Sequence, residues 1–265
     1  MPLPPYGAAR RPEPEILQAL ARARKLVPLV HCLTASVARE LMANVVLALG
    51  GSPAMIAADE EIEQFVPLAD ALVINLGSLS SAGAQSMRRA AALASSLRKP
   101  WLFDPAAVGA LSLRTELARD LLALRPDIVK GNASEILALA GEDGKGRCAD
   151  ATVEAELALE AAGRVAGRTG RVTMVTGATD YVTDGLRLMS VPGGHPLMSR
   201  VTGTGCALGA AAAVFLGAGL PLFRAAVTAS AVFAFAGAKA GEEARGPGGF
   251  AAAFLDQLYL LGEGS

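Results

Sequence analysis

One turn of small residues is the part of the chain best suited to chemistry. Thr202-Gly203-Thr204-Gly205-Cys206 stands where a polar segment gives way to the alanine-rich run Ala207 to Leu216, so the turn is predicted to open onto a helix. Glycines at 203 and 205 permit backbone conformations that a Cβ forbids and leave bare amides that a ligand can approach closely. With the unpaired N–H groups and positive dipole end of the helix that follows, they form a predicted anion site. Cys206 lies at the mouth of that site, where the same dipole is expected to lower its thiol pKa. A polarised thiol beside an oxyanion cradle reads as catalytic. The same residues also fit an ordinary glycine-rich turn with a small buried cysteine.

Such a turn needs a scaffold, and the rest of the chain supplies one. Apolar stretches predict strands over 27–33, 52–57, 71–77, 100–105, 127–130 and 171–177. Helical spacing predicts helices over 15–25, 37–49, 60–65, 83–97, 116–124, 154–165, 222–240 and 249–261 between and after them. Gly50-Gly51 closes the second helix, and Asp184-Gly185 marks the turn of a hairpin over 181–191. Strands that are apolar throughout and alternate with helices imply a parallel sheet covered on both faces, with sites at the strands' carboxyl ends.

Two polar groups fall at such ends. Asp104 directly follows Trp101-Leu102-Phe103, and Asn132 with Glu135 follows the strand that ends at Lys130. Carboxylates at the lip of a sheet, facing an anion cradle, suit Mg²⁺ held mostly through water and phosphate oxygens. Asn132-Ala133-Ser134-Glu135 equally fits a helix capping pattern. Thr176-Gly177 ends another strand in a form that could receive a nucleotide phosphate.

Composition narrows the function classes. A length of 265 residues fits one large domain or two small ones, of which one domain is favoured, with residues 1–14, rich in proline, as a loose N-terminal extension lacking a signal-peptide core. Apolar residues make up 52% of the chain, but the excess is alanine, which points to alanine-rich helices on a sheet and away from a membrane. Net charge is −1 with scattered basic residues, which is not the footprint of a nucleic-acid binder. The three cysteines, at 32, 148 and 206, show no metal-ligand spacing and cannot all pair, which suits a reducing cytoplasm; Cys148 reads as incidental in a loop. His31 and His195, the two histidines, do not make a histidine-based metal centre.

Taken together, six segments in order carry a resemblance: Leu47-Ala48-Leu49-Gly50-Gly51-Ser52-Pro53-Ala54-Met55, the run Asp104 to Ala110, Gly131-Asn132-Ala133-Ser134-Glu135-Ile136, Val175-Thr176-Gly177, the Thr202 to Cys206 turn, and Gly246-Pro247-Gly248-Gly249-Phe250. From about Pro28 to Leu261 the chain resembles hydroxyethylthiazole kinases, within the ribokinase-like superfamily. The resemblance implies a three-layer α/β/α fold with a mostly parallel central sheet, in one domain. It implies ATP-dependent phosphorylation of the primary alcohol of 4-methyl-5-(2-hydroxyethyl)thiazole with Mg²⁺, in a cytoplasmic homotrimer whose active sites lie between subunits.

By family correspondence, Gly203, Thr204 and Gly205 form the anion hole, and Cys206 sits where the superfamily usually places an aspartate base. Asp104 and Glu135 organise Mg²⁺, Lys130 and Thr176 contact ATP, and Met55 with Gly203 contacts the thiazole. Three positions depart from the family pattern: Lys130 replaces the common arginine, Ala178 an acidic residue, and Ala35-Ser36 an Asn and a second polar residue. A ribokinase-like kinase of another small heteroaromatic alcohol, or a nucleotide-binding protein without turnover, also fits.

Overall fold

A computed structural model of the protein describes residues 12–141 and 158–262. Eight strands form one sheet: β1 (Leu29–Leu33), β2 (Ser52–Ala54), β3 (Ala71–Asn75), β4 (Trp101–Asp104), β5 (Ile128–Asn132), β6 (Val172–Thr176), β7 (Thr179–Thr183) and β8 (Leu188–Pro192). Their order is β2-β1-β3-β4-β5-β6-β7-β8, parallel as far as β6 and antiparallel through β7 and β8.

Alternate strand residues enter two separate cores, as the two-residue period of a strand requires. Val73, Leu102, Ile128 and Met174 point to one face, where helices α1 (Pro14–Leu26), α2 (Arg39–Ala48), α8 (Thr204–Gly217), α9 (Leu222–Glu243) and α10 (Pro247–Leu260) pack. Ile74, Phe103, Val129 and Val175 point to the other, covered by α3 (Asp59–Phe65), α4 (Ser81–Ser96), α5 (Ser112–Ala123), α6 (Ala133–Ala140) and α7 (Leu159–Thr169). The result is the expected three-layer α/β/α architecture with a mostly parallel sheet.

Helix α8 is buried on every side from Ala207 to Leu216, a pattern that suits a core helix and not a surface one. Alanine makes this possible by letting α2, α9 and the strands come close. A Cβ on Gly209 would stand 3.2 Å from Leu102 Cδ2, so β4 presses directly on the helix. Helix α9, whose most apolar window has a mean hydropathy of 1.3, is the only described helix long and apolar enough to cross a bilayer. It is a core helix, with 61% of that window buried, in contact with α8 and α10.

Element boundaries differ from expectation where tertiary contacts intervene. β2 stops at Ala54 instead of running to 57, and the Ile56 carbonyl lies 2.7 Å from the His31 Nε2 instead of in the ladder. Helix α7 begins at Leu159, with residues 154–157 of the predicted helix outside the described residues. Helix α6 and a 3-10 turn over Pro196–Arg200 carry too few apolar repeats to be read from periodicity. The hairpin closes as predicted: Asp184 Oδ1 accepts from Leu186 and Arg187, and Gly185 takes a φ of 87°. Helix α1 starts at Pro14; residues 1–11 and Cys148 lie outside the described residues.

Candidate active site

The carboxyl ends of β3, β4 and β5 meet the amino ends of α6 and α8, and the buried polar residues Asn75, Asp104, Lys130 and Thr204 lie there. Gly203 caps α8 with φ at 89°, and a Cβ would lie 3.2 Å from Ala38 Cα, so both conformation and space demand glycine. Gly205 has a different reason. Its backbone is not left-handed, but a Cβ would meet nothing within 4 Å, so glycine leaves the helix end open. Conformational freedom, expected at both glycines, is thus needed at Gly203 alone.

Thr204 closes the turn, its hydroxyl donating to the Val201 carbonyl at 2.9 Å. The first bond within the helix runs from the Ala207 N–H to the Gly203 carbonyl at 2.8 Å. The Gly205 and Cys206 N–H groups are therefore left at the open end without an intrahelical acceptor, which is the arrangement an anion requires.

Cys206 is half-buried, and its sulfur accepts from Asn75 Nδ2 at 3.3 Å. The expected lowering of its pKa is not what the structure produces. Burial, followed by the Asp104 charge, pushes the thiol up to about 11, against the weaker pull of Lys130 and of the Asn75 hydrogen bond. At neutral pH the group is a thiol and not a thiolate, because loss of hydration outweighs the helix dipole.

Asp104 and Lys130 form a buried ion pair at 2.8 Å, with only 2% and 4% of each residue exposed. Burial pulls the lysine down, but Asp104, Cys206 and Glu135 together hold its pKa above the ordinary value. Glu135 caps α6: its Oε2 accepts from the Asn132 N–H at 2.8 Å, while Asn132 Oδ1 accepts from the Glu135 N–H at 3.0 Å. Of the two readings open for this segment, the capping box is formed. Glu135 does more than cap, because Oε1 reaches the Ala107 N–H at 3.0 Å, in a loop where Ala107 adopts a φ of 62°, unusual without glycine. Burial, then the neighbouring Asp104, raises the Glu135 pKa. Among the described residues Lys130 is ion-paired with Asp104 alone, and the Glu135 oxygens are bonded to backbone N–H groups, with the Lys130 charge acting on Glu135 from nearby.

Thr176 pairs in register with Asn132, which puts the Thr176-Gly177 end beside the start of α6. The next turn is held by Asp180, whose Oδ1 accepts from the Gly177 N–H at 3.1 Å. Protein packed around this half-buried carboxyl pushes it to about 6. Met55 stands apart from this group. It follows β2, two strands from β3 and so about 10 Å across the sheet, half-buried against the core on the α8 face. The structure therefore gathers Cys206, Gly203, Gly205, Asp104, Lys130, Glu135 and Thr176 at one lip, with Met55 at the sheet's edge.

Two residues of this lip, Asn75 and Asp180, were not singled out from sequence. Asn75 carried the same signal as Asp104, a polar residue at the tip of an otherwise apolar strand.

Comparison with known proteins bears on this arrangement. A family model described as the hydroxyethylthiazole kinase family matches residues 20–263. The chain belongs to that family. It is 47% identical to a hydroxyethylthiazole kinase of Leptospira borgpetersenii over 98% of this chain and 99% of the relative. It is 51% identical to one of Granulibacter bethesdensis over 90% and 87%. The solved hydroxyethylthiazole kinase of Pyrococcus horikoshii superposes with a TM-score of 0.86 at 41% identity, covering 93% of each chain. A ribokinase-like superfamily protein of Enterococcus faecalis, 14% identical with a TM-score of 0.67, covers 89% and 88% and shares the fold. As a member of this family the protein is a kinase, and the lip of β3, β4 and β5 is its candidate phosphoryl-transfer site.

Proposed function

We propose that the protein transfers the γ-phosphoryl group of ATP to the primary hydroxyl of 4-methyl-5-(2-hydroxyethyl)thiazole. The observation that carries this reading is the open amino end of α8, with the Gly205 and Cys206 amides free, facing a buried cluster of two carboxylates and one ammonium. Phosphoryl transfer asks a protein mainly for positioning and charge neutralisation, and these groups offer both.

In this reading the acceptor hydroxyl attacks the γ-phosphorus, the bond to the β-bridging oxygen breaks, and ADP leaves. The Gly203 to Gly205 turn holds the transferred group, Lys130 and Thr176 lie toward the nucleotide, and Met55 with Gly203 borders the thiazole. In a loose transition state the alcohol proton leaves late. With its pKa pushed up to about 11, Cys206 is mostly a thiol at rest, so that proton passes to its minor thiolate form, which returns it to solvent.

The family implies a divalent metal, and the donor set fits Mg²⁺. No group of three or more His, Cys, Asp or Glu side chains among the described residues makes a dedicated cage. Mg²⁺ does not need one, because it keeps its waters and takes one or two carboxylates plus phosphate oxygens. Asp104 and Glu135 supply those carboxylates, a buried and a half-buried acidic side chain close enough for the Asp104 charge to act on Glu135. When bound, the metal neutralises charge on the β- and γ-phosphates.

Homotrimeric assembly is part of this proposal and is supported by the place of Met55 at the open β2 edge, where a second subunit could complete the thiazole pocket. Cys32 and Cys206 are free thiols, in keeping with the reducing cytoplasm included here. The test is ADP release on a panel of small alcohols. Release that depends on the hydroxyethylthiazole is the expected result, and a preference for another heteroaromatic alcohol would replace the acceptor while keeping the kinase.

A further inference from the structure

We propose that Asn75 is the positioning residue of Cys206, its clamped side-chain amide fixing which side of the sulfur faces the cleft. The inference deepens the proposed function and rests on its placing Cys206 beside the acceptor hydroxyl.

Asn75 ends β3 after Ala71-Leu72-Val73-Ile74 and is fully buried. A buried amide in such a place is costly unless both of its ends are bonded, and here both are. Oδ1 accepts from the Gly77 N–H at 2.9 Å, and Nδ2 donates to Cys206 Sγ at 3.3 Å. Because the Gly77 N–H can only donate, the amide cannot turn over without setting donor against donor. The sulfur is therefore the acceptor of this bond, and any proton it carries points away from Asn75.

The clamp is itself rigid. A Cβ on Gly77 would lie 2.8 Å from Asn75 Oδ1 and 2.6 Å from Ala35 Cβ, so no side chain fits where the peptide bends back onto the amide. Arg114 Nη2 holds the next carbonyl, that of Gly77, at 3.1 Å. Across the sheet Asn75 is in register with Asp104, and the Leu76 N–H donates to the Asp104 carbonyl at 3.1 Å. The thiol thus meets a neutral donor on β3, beside the strand that carries Asp104. An aspartate here would be the same size but would add a third negative charge beside Asp104 and Glu135.

A purely structural amide and a positioning amide differ in what their loss does when the sulfur is absent. We expect Asn75→Ala to lower kcat about threefold to tenfold, as for loss of one hydrogen bond, with KM for ATP unchanged. In a Cys206→Ala background the same substitution should lower kcat no further. A second arm needs no substrate: peptide-resolved labelling of Cys206 with iodoacetamide at a fixed pH should slow severalfold in Asn75→Ala, because the lost donor no longer favours the thiolate.

Should Asn75→Ala fail to fold, Asn75→Asp takes its place. It keeps the acceptor for Gly77, loses the donor and should slow labelling further. Equal kcat losses with and without the thiol, or a labelling rate that does not fall, overturn the proposal. Because the labelling arm is independent of turnover, failure of the thiazole assignment leaves it standing and is recognised separately.

Discussion

Replacing Cys206 by aspartate tests how the site handles the acceptor's proton. The environment that raises this thiol from 9.0 to about 11 leaves a thiolate fraction of about 10⁻⁴ at pH 7. Applied to an aspartate, the same rise of two from about 3.9 gives a pKa of about 6, so roughly nine-tenths would be ionised. A carboxylate is the weaker base, which offsets part of that gain. With a Brønsted coefficient of about 0.5, the rise in the ionised fraction of about 10⁴ is reduced by about 10^2.5, leaving an increase of roughly 30-fold in the proton-transfer contribution. The assay is single-turnover formation of ADP after rapid mixing, which separates chemistry from product release. Cys206→Asp should match or exceed the wild-type rate, and Cys206→Ala should be slower yet active, because the α8 amides carry most of the stabilisation. An aspartate variant slower than the alanine variant would refute the reasoning, showing that the pocket rejects added charge more strongly than it needs a base.

Three further outcomes follow from the buried charges. Lys130→Met should cost about 3–5 kcal/mol in urea unfolding, since it strands Asp104 and Glu135 without their cation. Glu135→Gln should both lower the melting temperature, by losing one of two carboxylate-to-backbone bonds, and raise the Mg²⁺ needed for half-maximal activity; a melting change alone would assign Glu135 to capping only. The Asp180 carboxyl holds its proton at about 6 in the fold against 3.8 when free, so protonation favours folding and that contribution is lost as pH rises through 6. Asp180→Asn should therefore stabilise the protein at pH 8 by up to about 3 kcal/mol and have little effect near pH 4, as read by thermal melts at the two pH values.

Much of the fold was legible because its signals are local. Unbroken apolar strands separated by helices can only be a covered parallel sheet, and Asp104 at the end of Trp101-Leu102-Phe103 is placed at the lip by that fact alone. Gly203 and Asp184-Gly185 were readable for the same reason, since each answers to a turn. What escaped depends on neighbours distant in sequence. The Cys206 thiol rises instead of falling because it is buried in the fold and, after that, because Asp104 lies near it, which no inspection of residues 200–210 reveals. Asn75 shows the same polar tip on an apolar strand as Asp104, but its use depends on a partner 131 residues away. Helix α6 is eight residues long, and its capping box, visible in Asn132 to Glu135, was ambiguous until the Ala107 loop supplied the second use of the carboxylate.

The most direct test of the central claim is mass spectrometry of the small molecules after incubating the protein with ATP, Mg²⁺ and the hydroxyethylthiazole. The account predicts one thiazole monophosphate formed for each ADP, and loss of both in a Gly203→Ala variant whose cradle a Cβ disrupts. ADP accumulating without a phosphorylated thiazole, or a Gly203→Ala enzyme of undiminished rate, would contradict it.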